Sequence, residues 1–353
     1  MIKYYLKLGL KISGVILLII ILKTLYVGGV FKQITNYNAG RTEHIYTNMW
    51  GTEDMAFDSK HKLLFISSSN RWATLLKGEN PLDGIYALDL TDSLNSAPKK
   101  ILTTFSGDFH PHGISILQQG ESTYIFAVNH NKTGSYIEKF IFKNGTLIHI
   151  ESYSNNLMFS PNDIVTLSDT TFYVTNDHGS KTGFSKLLED YLQQSKSYVL
   201  YFDGTDYKPV IQNLQYANGI AVSHDKKTLY VAEATGQKIS IYDILDNGRL
   251  NLKHYIKTHT GVDNITVDSV GDLWVGAHPK LLKFTGHAKD STKLSPSEVL
   301  QIHLQANGIF KTTQIYINDG QEISGSSVAF KYQDYLFIGD VFGRKLVKVN
   351  LKR

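Results

Sequence analysis

The sequence predicts an all-β fold, a six-bladed β-propeller, preceded by an N-terminal membrane helix. Three observations carry this reading. An apolar stretch is confined to the first 31 residues, a two-strand pattern recurs six times between residues 50 and 345, and 21 Tyr and 17 Phe stand against only 7 Pro. Aromatic enrichment with few prolines favours many short strands. A chain of 353 residues that is 42% hydrophobic and 19% charged is a packed globular protein, so disorder is excluded as its main state. There is no cysteine, which excludes a disulfide framework, a zinc–thiolate or iron–sulfur site and a cysteine nucleophile.

The first element is the membrane segment, residues 1–31. Residues 12–31, ISGVILLIIILKTLYVGGVF, are interrupted only by Lys23 and follow Lys3, Lys7 and Lys11, and about 20 apolar residues suffice to cross a bilayer. Positive charge on the N-terminal flank keeps that end in the cytoplasm and sends the rest across. Without a small-x-small cleavage site between Tyr26 and Phe31, an uncleaved signal anchor is expected, with the propeller outside the cytoplasm. The net charge of +4 is that of the four lysines before residue 32; the other 32 basic residues balance 32 acidic ones. A neutral domain of this kind carries no nucleic-acid footprint.

The propeller is expected over residues 32–353. Its copies begin with Glu53-Asp54, Pro111-His112-Gly113, Asn162-Asp163, Asn218-Gly219, Asp263-Asn264 and Ser326-Ser327, each followed by a short apolar run, a turn and a more aromatic run. From Asp54 to Ser327 the copies are spaced by about 55 residues, the length of a four-stranded blade. GIYALDLT, IEKFIFK, YVLYFDG, KISIYDIL and KLLKFTG are the expected outer strands, with turns at Ser223-His224-Asp225 and Asp246-Asn247-Gly248. One segment breaks the pattern: Phe184, Leu187, Leu188, Tyr191 and Leu192 recur at helical spacing. A helix over 184–195 is expected there, as a lid over the site or as a helix packed on the propeller's side.

Function is carried by where the polar residues fall. Glu53, Asp54, His112, Asn162, Asp163, Asn218, Asp263 and Asn264 all open the same strand of successive blades, and rotation about the central axis brings such positions to one channel mouth. Carboxylates there at roughly 5 Å would repel by about 3 kcal/mol per pair at an effective dielectric near 20. No lysine or arginine occupies the repeated positions, so a cation is expected. Carboxylate and amide oxygens are hard donors suited to calcium, and four carboxylates match two such ions, one deeper and one facing the mouth. Histidines share the bias: His112, His130, His178 and His278 lie at strand ends. Antiparallel pairing brings His112 and His130 together, where two imidazoles beside a divalent cation can relay a proton from water attacking a carbonyl.

The ordered set GTEDMAF, FHPHGIS, FAVNH, SPNDIV, FYVTNDH, YANGIAVS, YVAE, VDNITVD and GDLWVGAHP resembles the paraoxonase/arylesterase family over roughly residues 50–345. The resemblance implies a six-bladed propeller with two calcium ions, one catalytic and one structural, that hydrolyses lactones and aryl esters. By motif it implies Glu53, Asn162, Asn218, Asp263 and Asn264 on the catalytic calcium, and Asp54, Asp163 and the backbone carbonyl of Ile114 on the structural one. It further implies His112 and His130 as a catalytic dyad, with His112 the general base, and Asp177 and His278 as pocket residues. The chain departs from the animal members in having no cysteine to join its ends, Ala277 standing in the GAHP motif, so closure must come from strand pairing with an N-terminal segment completing the last blade. SSSNRWATLLKGENPLDG and the 184–195 helix differ too. The expected protein is a membrane-anchored, calcium-dependent hydrolase acting on a small lactone or ester. A sugar lactonase of the gluconolactonase type and a non-enzymatic, calcium-stabilised binding propeller are the other readings.

Overall fold

In a computed structural model describing residues 2–91, 96–305 and 309–352, six sheets of four or five strands stand around one axis, antiparallel except where Leu102–Thr103 pairs parallel with Thr146–Tyr153 at the edge of the second. The innermost strands are Thr52–Asp58, Pro111–Gln119, Pro161–Thr166, Ala217–Val222, Gly261–Val267 and Ser326–Tyr332. Each contacts the next around the ring, and the last contacts the first. The six copies read from the sequence are the six blades, one to six.

Each blade buries both faces, so its strands alternate toward two neighbours rather than toward core and water. Six apolar clusters result, one in each interval between blades. Between blades one and two, Phe65 and Ile85 meet Ile114, Ile125 and Phe140. Between blades five and six, Trp274 and Val299 meet Ala329, Leu336 and Ile338.

Closure is made by the N-terminal segment. Arg41–Tyr46 pairs antiparallel with Leu346–Asn350 as the outer strand of blade six, with Thr42 opposite Val349 and Tyr46 opposite Leu346. Just before it, Tyr37–Asn38 adds a fifth strand to blade five.

Four α-helices interrupt the strands: α1 Ile2–Val27, α2 Arg71–Lys77, α3 Gly183–Leu192 and α4 Leu281–Lys289. Between Lys3 and Val27, α1 has a mean hydropathy of 2.2, and its apolar window lies outside the propeller. It is long and apolar enough to cross a bilayer. The helix expected at 184–195 is α3, opened by Thr182, whose side chain accepts the Ser185 amide. KLLKFTG, expected as an outer strand, is instead the start of α4; the third strand of blade five is Ser297–Leu304. The reason is periodicity: Leu281, Phe284, Thr285 and Ala288 fall at i, i+3, i+4 and i+7 and turn together onto one cavity.

Candidate active site

All six innermost strands lose regular pairing at the same place. Register shifts between Thr52 and Met55, Pro111 and Ile114, Pro161 and Ile164, Ala217 and Ile220, Val262 and Ile265, and Ser326 and Ala329. A bulge suspends the strict alternation of side chains, so two consecutive residues per blade are freed from it. Those residues are Glu53-Asp54, His112-Gly113, Asn162-Asp163, Asn218-Gly219, Asp263-Asn264 and Ser327-Val328. Where the pair includes glycine, the next blade closes in. A Cβ on Gly113 would lie 2.4 Å from Asp163 Oδ1, and one on Gly219 would lie 2.5 Å from the Asp263 carbonyl oxygen.

Asp54 and Asp163 make the deeper layer. Asp54 accepts the Met55 amide at 2.8 Å and the amide of Ile114, in the next blade, at 2.6 Å. Asp163 repeats this with Ile164 at 2.7 Å and with Ile220 of blade four at 2.8 Å. Burial, then the charges of Asp163 and Glu53, push the Asp54 carboxyl well above the ordinary range; burial likewise raises Asp163 and Asp263. Glu53 goes the other way: burial opposes its charge, but His112, Arg71 and the Asn264 amide together hold it at about 2. Three buried acids driven toward their neutral forms mark a place short of positive charge.

The upper layer offers oxygens. Among the described residues, Asp, Glu and His side chains form no group of three that could hold a metal alone, so amides must complete any shell. Glu53 Oε2 and the Oδ1 atoms of Asn162, Asn218 and Asn264 are buried without a hydrogen-bond partner. Asn264 is turned by its other end, which donates to the Glu53 carbonyl at 2.9 Å, to Glu53 Oε1 at 2.7 Å and to Ser327 Oγ at 3.2 Å. An unpaired buried acceptor costs about 1–3 kcal/mol. Four of them beside Asp263 fit a hard cation of calcium's kind, which takes carboxylate and amide oxygens together.

Antiparallel pairing of Pro111 with Asn129 sets the two histidines side by side. His112 Nδ1 lies 2.9 Å from His130 Nε2, His130 Nδ1 lies 3.0 Å from Ser135 Oγ, and His112 Nε2 lies 3.3 Å from Glu53 Oε1. Burial and the neighbouring His112 hold His130 down to about 3, so it stays neutral at physiological pH. His278 Nε2 lies 2.8 Å from Asp263 Oδ2, and its ring stacks on Phe284 with centroids 3.7 Å apart. Asp177 lies 2.6 Å from His178 Nδ1, and Asp190 lies 3.1 Å from the other ring nitrogen. Burial opposes a charge on His178, but these two carboxylates raise it to about 9.

A cavity of about 360 Å³ joins the groups. Glu53, His112, Asn162, Asn218, Asp263 and His278 line it, and Asp177 lies on its side. Asp54, Asp163 and Asn264 lie buried away from it, and His130 reaches it through His112. Its upper wall is apolar and helical: Val27 from α1, Leu187 and Tyr191 from α3, and Leu281, Leu282 and Phe284 from α4. Of the two readings of the 184–195 helix, the one over the site is what is observed. Helix α1 is tied in by Thr24 Oγ1, which donates to the Tyr191 carbonyl at 2.6 Å, and by its Val27 carbonyl, which accepts from Gln237 at 2.9 Å.

A family model described as Arylesterase matches residues 53–349. The chain belongs to the arylesterase family. Human serum paraoxonase/arylesterase 1 is 34% identical over 305 residues, covering 84% of this chain and 85% of that one. The rat protein of the same name is 36% identical over 242 residues, 67% of this chain and 68% of its own. Among solved structures, a luciferin-regenerating enzyme superposes with a TM-score of 0.53 at 13% identity, covering 86% of this chain and 92% of that one. A gluconolactonase from Xanthomonas campestris gives 0.52 at 16% identity, covering 90% and 93%. At such identities these two speak for the propeller alone.

In this arylesterase-family chain the site also holds a residue not singled out from the sequence: Arg71, at the start of α2, whose guanidinium lies 3.9 Å from Glu53 Oε2. Its signal was rarity. Only five of the 36 basic residues are arginine, and an arginine where lysine is the default suggests a need for a planar, permanently charged donor.

Proposed function

We propose that the chain is a calcium-dependent hydrolase of lactones and aryl esters, anchored by α1 with the propeller on the extracytoplasmic side. The carrying observation is the His112–His130 contact at 2.9 Å beside four unpartnered buried oxygens at the floor of an apolar-walled cavity. Membership of the arylesterase family supports the same reading. Glu53, Asn162, Asn218, Asp263 and Asn264 would hold the catalytic calcium, and Asp54 and Asp163, with the Ile114 carbonyl, a structural one. Bound there, calcium supplies Lewis acidity toward a carbonyl oxygen.

His112 is the general base. With His130 neutral, its Nδ1–H donates to Ser135 and its Nε2 accepts from His112 Nδ1–H, so the nitrogen of His112 that exchanges a proton is Nε2, which faces the cavity beside Glu53 Oε1 at 3.3 Å. That nitrogen takes a proton from water as the water oxygen bonds to the acyl carbon. As the carbon–oxygen bond of the ester breaks, the same nitrogen returns the proton to the leaving oxygen. His130 titrates near 3, so it does not capture that proton. Asp177 and His278 line the pocket as positioning groups, His278 by fixing Asp263 at 2.8 Å. The apolar wall favours lactones with a hydrocarbon chain over polyhydroxylated sugar lactones.

The test is hydrolysis of a medium-chain acyl lactone and phenyl acetate by full-length protein in detergent, with calcium and again after chelation. Activity should vanish with the metal and return on its addition. His112→Gln should stay folded and retain bound calcium while losing about 10²–10⁴-fold in kcat. Unchanged turnover in that variant would remove the dyad from the mechanism.

A further inference from the structure

The mechanism above leaves Arg71 unused. Its position is not accidental: the segment carrying it is pinned from several sides. Asn70 caps α2 by accepting the Ala73 amide at 3.1 Å. Asp83 accepts from Ser69 Oγ at 2.6 Å and from the Asn70 amide at 2.8 Å. Trp72 donates to the His287 carbonyl at 3.2 Å and stacks on Phe342.

The Arg71 side chain is only 12% exposed. It donates to the Val341 carbonyl at 3.1 Å and to the Pro111 carbonyl at 3.4 Å. A guanidinium carries five N–H groups, so with these two used, three find no acceptor among the described residues. The contact with Glu53, at 3.9 Å, is an ion pair without a hydrogen bond. Arg71 thus stands on the wall of a cavity, ion-paired with Glu53 and with N–H groups that make no hydrogen bond to a described residue, and an anionic ligand in that cavity would meet them.

The position of that anion follows from Glu53. His112 Nε2 approaches Oε1 at 3.3 Å and Arg71 approaches Oε2 at 3.9 Å. A carbonyl attacked beside His112 and an anion on Arg71 are thus separated by little more than one carboxylate and its contacts, the reach of a few carbon–carbon bonds. Glu53, Asp177, Asp190 and Asp263 also line the cavity, which disfavours a dianionic phosphate on a single arginine and leaves a carboxylate.

Resting on the hydrolase reading, we propose that Arg71 is a specificity-determining residue that binds a carboxylate carried by the substrate a few bonds from the scissile carbonyl. The substrate class is then half-esters of short dicarboxylic acids, and lactones that carry a free carboxylate on the ring. Hydrolysis of such a hemiester breaks the acyl carbon–oxygen bond, adds the water oxygen to that carbon and returns the proton to the leaving alcohol, giving the dicarboxylic acid.

The experiment uses full-length protein in detergent with two substrates, phenyl hemiglutarate and its methyl-capped neutral counterpart. The wild type should favour the anionic ester at least tenfold in kcat/KM. Arg71→Met should lower that ratio at least tenfold, chiefly through KM, with Arg71→Lys between the two because it keeps the charge and loses the fork. A wild-type ratio of one or less, or an Arg71→Met loss equal on both esters, overturns the proposal. Calorimetric titration with glutarate reads the site without turnover. Glutarate bound by the wild type and at least tenfold more weakly by Arg71→Met supports the assignment even if neither ester is cleaved, an outcome that sinks the hydrolase reading instead. No glutarate binding to the wild type overturns the assignment. If Arg71→Met fails to fold, Arg71→Lys carries both measurements.

Discussion

His178 lies between Asp177 at 2.6 Å and Asp190 at 3.1 Å, and its raised pKa of about 9 is a statement about stability as well as charge. In the unfolded chain an imidazole titrates near 6.5. Its contribution is therefore fully present below that pH and fades as pH rises through 9. His178→Gln should cost about 3 kcal/mol near pH 6 and close to nothing at pH 10, read as the difference in urea midpoints between variant and wild type across that range. A gap that does not narrow with pH would mean that packing against Tyr216, not charge, is what His178 supplies. At this scale the sequence was legible where a residue repeats. Glu53, Asp54, Asn162, Asp163, Asn218, Asp263 and Asn264 stand out because six blades hold the same two positions in a bulge. Arg71 does not repeat; rarity alone marks it in the sequence, and its place beside Glu53, at the start of α2, comes from the fold.

The apolar intervals between blades are filled by clusters of buried side chains drawn from both neighbours. Phe65, fully buried between blades one and two, meets Phe142 edge-on at 5.1 Å between centroids. Phe65→Ala should cost about 3–5 kcal/mol, seen as a lowered urea midpoint. Apart from the loss of folded protein, it should leave the cavity residues in place, because Phe65 packs in the apolar interval between blades one and two and does not line the cavity. Strands were legible from the repeated order of a short apolar run, a turn and a more aromatic run, with turns such as Ser223-His224-Asp225. KLLKFTG was not: seven residues too short to separate period 2 from period 3.6 read as a strand, and only the cavity side of Leu281, Phe284, Thr285 and Ala288 shows the helical stripe.

The ring is held shut by pairing between Arg41–Tyr46 and Leu346–Asn350, with no covalent link between the chain's ends, since the chain has no cysteine. Removing residues 2–46 should therefore expose the edge of blade six and lower the urea midpoint far more than removing α1 alone, which leaves that strand in place. Equal midpoints for the two truncations would show that closure rests on the inner strands instead. Closure was foreseen from the missing cysteine; the fifth strand, Tyr37–Asn38 on blade five, was not, because two residues carry no periodicity. The latch also has a calendar. Arg41–Tyr46 is made early, and its partner leaves the ribosome some 300 residues later, about 15–60 s at a synthesis rate of roughly 5–20 residues per second. Through that interval the strand waits as an open edge, so birth is the moment when this protein is most exposed to pairing with a second copy of itself, and growth conditions that slow synthesis lengthen that exposure.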